Sequence, residues 1–311
     1  DLVEQAMAYA RGRAARAGLR PFFAIATNGT VVNARLLRLL RDNDVNVQVS
    51  YEGCPEAQDA TRRFRNGRSS AARVEAGLKR LLGEGFDVRV ISVVDPDNAR
   101  FMARGFDRLM DLGVRRIHLS PNYTAAWDDD ACDGFEHALG ELGERYMARF
   151  RAHQDVRLDP LNGKVVTHLA EGYKEKNLCQ FGQQELAVAP SGNLYPCDRL
   201  VCEDDNPDIQ IGDVVTGLDT ARRDAMVQAK NRPDDECSGC ELQRRCMHWC
   251  GCANYETTGD VATVSPVVCW FERCWIAEAD RVANTLFAER NPTFVRRFYV
   301  PEMELPAAPA P

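Results

Sequence analysis

The sequence lacks any apolar run close to the roughly 20 residues that a membrane-spanning helix needs. It also lacks a recognisable signal peptide, an internal repeat and an excess of positive charge, since its formal net charge is −7. These absences argue against a membrane protein, a secreted protein, and a general binder of nucleic acid or anionic membranes. We therefore expect a cytoplasmic protein with no nucleic-acid or membrane partner.

Cysteine, in contrast, is abundant, with 12 in a chain of 311 residues. The chain is long enough for two domains, and its hydrophobic fraction of 45% suits a globular protein with a core. Seven cysteines fall into one spacing pattern, Cys-x12-Gly-x4-Cys, Cys-x2-Cys-x5-Cys-x3-Cys, then Cys. The pattern is formed by Cys179, Gly192, Cys197, Cys237, Cys240, Cys246, Cys250 and Cys269.

These cysteines could form disulfides or bind metal. The close Cys237-x2-Cys240 spacing and the absence of a signal peptide favour metal. Iron–sulfur clusters and structural zinc both use four soft ligands, so seven cysteines exceed one site and nearly fill two. Zinc in a single knuckle formed by Cys237, Cys240, Cys246 and Cys250 remains the alternative.

Strand and helix patterns alternate over residues 1–120, which is typical of a parallel α/β sheet or barrel. We expect helices at 2–18, 33–41, 69–83 and 97–112, and strands near 21–26, 45–50, 88–94 and 116–120. Residues 130–152 and 274–289 are predicted as longer helices, whereas 155–178 give no clear pattern. Four strands with their helices predict an open half-barrel.

The cysteine pattern, with residues 187–198 (AVAPSGNLYPCD) and 211–214 (IGDV), resembles the SPASM domain of radical S-adenosylmethionine (AdoMet) enzymes. The resemblance implies two auxiliary [4Fe-4S] clusters. By this resemblance, Cys179, Cys197 and Cys250 hold the first cluster, and Cys237, Cys240, Cys246 and Cys269 hold the second.

One position departs from the family pattern. Members with a fully ligated first cluster have another cysteine between the positions of Cys179 and Gly192, where this chain has Glu185. The first cluster is therefore expected to have an open iron, a non-cysteine ligand, or help from Cys202 or Cys252.

Several strand-end segments resemble the radical AdoMet core domain: residues 27–30 (TNGT), 50–53 (SYEG), 59–62 (DATR) and 67–70 (GRSS). Ligands of parallel α/β folds bind at the carboxyl ends of the strands. The resemblance implies that Asn28, Ser50 and Arg62 bind AdoMet, with the Arg62 guanidinium suited to a carboxylate. A surface ion pair for Arg62 and a strand-end hydrogen bond for Ser50 are the alternatives.

The family's C-x3-C-x2-C loop, which holds the third [4Fe-4S] cluster and cleaves AdoMet, is not in the chain, and neither is the GGEP-like strand. The first residue is Asp1, inside a predicted helix, so we expect that an N-terminal part is missing; natural loss in a degenerate homologue is the alternative. The expected fold is α/β, with the last strands of a radical-AdoMet (β/α)6 barrel followed by a small Cys-rich domain and a C-terminal helix. The predicted boundaries are 1–155 for the core, 156–178 for a bridge, 179–290 for the SPASM domain and 291–311 for the tail.

The resemblance implies a maturase that abstracts a hydrogen atom from a peptide or protein, using a radical made from AdoMet. Thioether or carbon–carbon crosslinking is preferred, and a formylglycine-forming sulfatase maturase or a non-catalytic, metal-stabilised peptide-binding module are the alternatives. Asp198, next to Cys197, matches the residue placed as the base in the sulfatase-maturing branch. The expected partners are a peptide or protein substrate, with a leader peptide where the substrate carries one, and an electron donor such as flavodoxin or ferredoxin.

Overall fold

The computed structural model describes residues 2–299, which form two compact units. The first unit contains the chain up to Asn122, Trp127–Asn162 and the chain from Val282 on, and the second contains Tyr123–Ala126 and Gly163–Arg281. The predicted boundaries at 155, 178 and 290 stay predictions. The proline- and alanine-rich end of the predicted tail, residues 300–311, lies outside the described residues.

A five-stranded parallel sheet forms the centre of the first unit, with its strands in chain order. Inward positions alternate along the second strand, where Val45, Val47 and Val49 are buried. Such period-2 burial is what a strand with one face in the core requires. The strands are β1 Phe23–Thr27, β2 Val45–Ser50, β3 Val88–Val94, β4 Arg116–Pro121 and β5 Arg157–Asp159.

Helices connect the strands of this sheet, as parallel pairing demands. Two of them begin at side-chain caps: Asn33 Oδ1 accepts from Leu36 N at 2.9 Å, and Asp128 Oδ1 accepts from Ala131 N at 2.9 Å. The helices are α1 Leu2–Arg16, α2 Ala34–Asp42, α3 Pro55–Thr61, α4 Ala71–Gly83, α5 Met102–Asp111 and α6 Asp129–Arg151, with a short 3-10 turn at Ala99–Phe101.

The remaining helices are short, apart from the 23-residue helix α11. They are α7 Leu161–Leu169, α8 Thr220–Lys230, α9 Asp235–Ser238, α10 Gly251–Thr258, α11 Pro266–Ala288 and α12 Pro292–Phe298. Two small antiparallel hairpins belong to the second unit. They pair β6 Ala187–Val188 with β7 Leu194–Tyr195, and β8 Gly212–Asp213 with β9 Gly217–Leu218.

The α/β prediction with a parallel sheet is confirmed, and the strand count is corrected from four to five. The added strand is β5, which pairs with β4 through Leu158 and Ile117 and lies in the stretch that showed no sequence pattern. Helix α11 begins at Pro266, eight residues before the predicted start. Helices α3, α7, α8, α9, α10 and α12 were not predicted.

A close approach between two glycines fixes the turn after β1. A Cβ atom added at Gly77 in α4 would lie 2.0 Å from the Gly29 carbonyl oxygen. Only glycine allows α4 to pack this closely against the turn that carries Asn28.

Among residues 2–299, no helix combines the length and the apolar character needed to cross a membrane.

Candidate metal centres

Four cysteines line one small cavity in the second unit, and we call them the four-cysteine group. The short helix α9 positions the first of them, because Asp234 Oδ1 caps this helix and accepts from Cys237 N at 3.2 Å. Cys240 N donates to the Cys237 carbonyl at 3.1 Å, and this turn brings the second thiol to the same side. The group consists of Cys237, Cys240, Cys246 and Cys269.

The four-cysteine group has the donor set of a metal site. Burial raises the pKa of Cys237 to about 11 and that of Cys246 to about 12, so without a cation these thiols stay protonated. A bound metal ion would reverse this preference, because thiolates are its ligands. Four soft ligands around one cavity fit either an iron–sulfur cluster or zinc.

Three more cysteines meet elsewhere in the second unit, and we call Cys179, Cys197 and Cys250 the three-cysteine group. Cys197 is buried in the apolar core of this unit, and Cys179 and Cys250 pack against the same core. Burial and, to a smaller extent, the charges of Cys250, Glu185 and Cys197 together raise the pKa of Cys179 to about 11. These three cysteines therefore lie at the same apolar core, and their role as ligands of one cluster stays a prediction.

Cys252 adds a fourth thiol to the three-cysteine group. Its Sγ lies 3.5 Å from Cys250 Sγ, and it also hydrogen-bonds with Cys197. The hydrogen bond from Cys252 lowers the pKa of Cys250 to about 7, although burial opposes this shift. Cys202, the other cysteine considered as a helper, is exposed and donates to the Arg199 carbonyl at 3.3 Å.

Glu185 lies at the same place. Cys179 Sγ is 3.9 Å from Glu185 Oε2. One ligand atom each from Glu185, Cys197 and Asp198 can be chosen so that all three lie within 4.8 Å of one another. The carboxylate that replaces the family's cysteine is thus next to two of the predicted ligands.

Asp198 is exposed and begins a short 3-10 turn. Its Oδ1 accepts from Arg199 N at 3.0 Å and from Cys197 Sγ at 3.4 Å. The Arg199 guanidinium pairs instead with Glu256, 3.0 Å away. Asp198 therefore has an accessible carboxylate directly beside a predicted cluster ligand.

The three predicted AdoMet-binding residues belong to the first unit, at or after the carboxyl ends of β1 and β2. Asn28 is exposed, and its Oδ1 accepts from Thr30 N at 3.1 Å. Ser50 is the half-buried last residue of β2. Arg62 Nε donates to the buried carboxylate of Glu52, and the Arg62 side chain keeps 40% of its surface exposed.

Glu52 is a member of this site that the sequence interpretation did not single out. It also accepts from Val93 N at 2.6 Å. Burial raises the pKa of Glu52, although the positive charge of Arg62 opposes the shift. The sequence did contain an indication of Glu52, because this residue stands at the acidic position of residues 50–53 (SYEG).

The sequence interpretation did not single out Tyr123 either. Burial raises the pKa of Tyr123, and the charges of Glu272, Cys250 and Cys246 raise it further, so this ring lies near members of both cysteine groups. The Arg199 guanidinium lies 5.8 Å from the centre of the Tyr123 ring. Nothing in the local sequence around Tyr123 indicates this position.

Trp270 lines a larger pocket that Cys237, Cys240 and Cys269 also line, and Trp275 is almost fully buried. His248 is half-buried, with no hydrogen-bond partner for Nδ1 among residues 2–299. Asp128 caps α6.

No family model matches the chain. The chain is 25% identical, over 243 residues, to a serine-type anaerobic sulfatase-maturating enzyme of Klebsiella aerogenes, with 73% of this chain and 57% of the relative covered. It is 20% identical, over 190 residues, to a cysteine-type anaerobic sulfatase-maturating enzyme of Clostridium novyi (strain NT), with 59% and 51% covered. The chain thus spans little more than half the length of these curated relatives.

Solved structures with a similar fold include native anSMEcpe with bound AdoMet, at a TM-score of 0.71 and 18% identity, covering 86% of this chain and 75% of that one. Streptococcus suis SuiB bound to its precursor peptide SuiA gives a TM-score of 0.51 at 11% identity, with 79% and 58% covered. The expected resemblance to AdoMet-enzyme folds is confirmed in this coarse form. The partial barrel and the SPASM clusters stay predictions.

Proposed function

We propose that this protein is a radical AdoMet maturase with two auxiliary iron–sulfur clusters, which oxidises a serine or cysteine side chain of a peptide or protein. The observation that carries the proposal is the gathering of the predicted ligands into two separate groups within one unit. The similarity to sulfatase-maturating enzymes of both the serine and the cysteine type favours side-chain oxidation. Crosslinking, the first preference from sequence, stays a prediction.

In this proposal the three-cysteine group holds the first auxiliary cluster, and the four-cysteine group holds the second. Such clusters supply one-electron chemistry when bound. Asp198 accepts the proton that the substrate's hydroxyl or thiol loses during oxidation, since its carboxylate is exposed beside Cys197. Peptide substrates are supported by the neighbours whose structures contain a Kp18Cys peptide or the precursor SuiA.

Arg62, Ser50 and Asn28 are proposed to bind AdoMet at the carboxyl edge of the sheet. Among residues 2–299, Glu52 is the only hydrogen-bond acceptor of the Arg62 side chain, and only Nε is used. The two terminal nitrogens of Arg62 are therefore open to the carboxylate of a ligand. Glu52 holds the guanidinium in place from the buried side.

Metal analysis of the chain after anaerobic reconstitution tests the proposal. Two [4Fe-4S] clusters correspond to about eight irons and eight sulfides per chain. One or two zinc ions without sulfide would overturn the radical-enzyme proposal. For the reaction itself, protein that carries the C-x3-C-x2-C loop should form 5′-deoxyadenosine and convert a serine-containing peptide to the aldehyde. Formation of a crosslink in place of the aldehyde would return the preference to crosslinking.

A further inference from the structure

We propose that the Glu185 carboxylate is the fourth protein ligand of the first auxiliary cluster, giving it three thiolates and one oxygen. This inference rests on the proposed function, because it requires that the three-cysteine group holds a cluster. A cubane cluster has four irons, and three cysteines leave one iron without a protein ligand. Glu185 Oε2 already lies 3.9 Å from Cys179 Sγ.

The backbone builds this contact. The amides of Gln183 and Gln184 donate to the Gln180 carbonyl at 2.8 and 3.1 Å, so the chain reverses directly after Cys179. A bridge between Phe181 and Glu185 then closes the loop. Phe181, only 1% exposed, anchors this loop in the apolar core.

The same loop is tied to the segment that carries Cys197. Gly182 N donates to the Pro196 carbonyl at 3.1 Å, and the residue after Pro196 is the ligand Cys197. The positive φ of Gly182, +69°, lets the loop make this turn. Cys179, Glu185 and Cys197 are therefore held together by main-chain hydrogen bonds and do not depend on flexible side chains alone.

Among the described side chains, which are those of residues 2–299 without Lys176, the partner of the Glu185 carboxylate is Cys179. A carboxylate next to thiolates is electrostatically unfavourable unless a cation lies between them. An iron bound by both would supply that cation.

Two other groups compete for the role. Cys252 lies in the apolar core, is 4% exposed, and contacts Cys250 Sγ at 3.5 Å, where either sulfur can be the donor. Asp198 follows Cys197 directly and accepts the Arg199 amide at 3.0 Å. Glu185 contacts Cys179 within its own loop and also lies near Cys197, which is on a different segment.

The test uses the reconstituted chain and its variants Glu185→Ala, Glu185→Gln, Glu185→Cys, Cys252→Ser and Asp198→Asn. Glu203→Gln serves as the matched control, because Glu203 is an exposed carboxylate whose neighbouring thiol, Cys202, belongs to neither cysteine group. Each protein is titrated with ferricyanide, and iron content is followed together with the EPR signal of a [3Fe-4S] cluster. The second cluster, with its four cysteines, reports in the same sample whether the variant has folded.

We expect the wild type and Glu203→Gln to keep about eight irons, whereas Glu185→Ala and Glu185→Gln fall to about seven and show the [3Fe-4S] signal. Glu185→Cys should keep all its iron and alter the EPR spectrum of the first cluster only. Iron loss in Cys252→Ser or Asp198→Asn, but not in Glu185→Ala, would overturn the assignment. Wild-type protein that already loses one iron would indicate an open site and would overturn it too. Absence of iron altogether would instead contradict the proposed function.

Discussion

Lys164 Nζ lies 2.5 Å from Glu272 Oε2, and the two side chains are 1% and 4% exposed. Both charged groups form further hydrogen bonds: Lys164 donates to the Arg245 carbonyl at 3.0 Å, and Glu272 accepts from Met247 N at 2.6 Å. Met247 follows Cys246, so this buried pair holds the segment that carries one member of the four-cysteine group.

Replacing one member of this pair should be costly. In Lys164→Met the Glu272 charge stays buried without its partner, and we expect the free energy of unfolding to fall by about 3–5 kcal/mol. The double variant Lys164→Met, Glu272→Leu should lose less, since no buried charge remains. Chemical unfolding followed by circular dichroism measures both. Arg232→Met, which breaks an exposed pair with Asp260, is the control and should cost at most about 1 kcal/mol; equal losses would contradict the argument.

Gly77→Ala should destabilise the first unit, because the added methyl group meets the Gly29 carbonyl oxygen at 2.0 Å. Relief requires α4 to move, and overpacking of this kind costs about 1–3 kcal/mol. Gly83→Ala in the same helix is the matched control, since nothing lies within 4 Å of its Cβ position. It should be neutral or stabilising by up to about 1 kcal/mol. Thermal unfolding of the two variants separates these outcomes.

The ion pair between Glu75 and Arg108 predicts a pH dependence. Burial alone would raise the pKa of Glu75, but the hydrogen bonds from Arg108 and Tyr51 outweigh it and hold this pKa below its usual value of 4.5. The folded state therefore binds fewer protons than the unfolded state, so the stabilisation is present above pH 4.5 and is lost as the pH falls through the folded pKa.

Glu75→Gln should accordingly lower the free energy of unfolding by about 1.5–3 kcal/mol at pH 7, and by less at acid pH. Unfolding curves from pH 7 down to pH 4, for wild type and variant, measure the difference. Asp97→Asn, at an exposed position, is the control and should show no such trend. A constant difference across the pH range would show that the charge of Glu75 is not what stabilises the fold.

Replacing a single cysteine should remove the iron of one cluster only. When any member of the four-cysteine group is replaced by alanine, we expect the protein to lose about four irons and to keep the other cluster. Cys202→Ala should lose none, because this thiol is exposed and donates to the Arg199 carbonyl. Anaerobic iron and sulfide analysis provides the readout. Loss of all iron from one replacement would show that the two groups do not load independently.

The variant Asp198→Asn tests the proposed role of Asp198 as a general base. Removing a general base commonly costs a factor of about 10²–10⁴ in rate, so oxidation of the substrate peptide should slow by that amount in catalytically competent protein. Iron content should stay unchanged. Asp205→Asn, at an exposed position nearby in sequence, should keep wild-type turnover. Mass spectrometry of the peptide follows the reaction, and an unchanged rate in Asp198→Asn would remove the base assignment.

The regular part of the α/β unit was predictable because its periodicity is strong. The strand Val45–Ser50 has the predicted bounds, and α4 and α6 end within one residue of the prediction. Strand β5 was not predictable, since its three residues are held by pairing with Arg116–His118 and carry no pattern of their own. Helix α11 had a readable start signal that was overlooked: Ser265 Oγ accepts from Val268 N, and Pro266 is the first helical residue.

For the candidate site, the two cysteine sets follow from the family resemblance and stay predictions, since spacing alone would also group Cys237, Cys240, Cys246 and Cys250. The sequence did not indicate which groups meet from distant segments. The pairing of Arg62 with Glu52 and the position of Tyr123 near both groups depend on tertiary packing. The contact between Cys179 and Glu185 depends on how a six-residue loop closes, which spacing alone does not determine.

The contacts of Cys252 with Cys197 and Cys250 also affect how the protein is made. Before metal arrives, three reduced thiols lie side by side, and oxidants readily link neighbouring thiols to one another. A disulfide here would remove the donors of the first centre before any iron could bind. Under the proposed function, cluster assembly must therefore precede oxidation of these thiols, so sensitivity to oxygen would begin while the protein is still being loaded with metal.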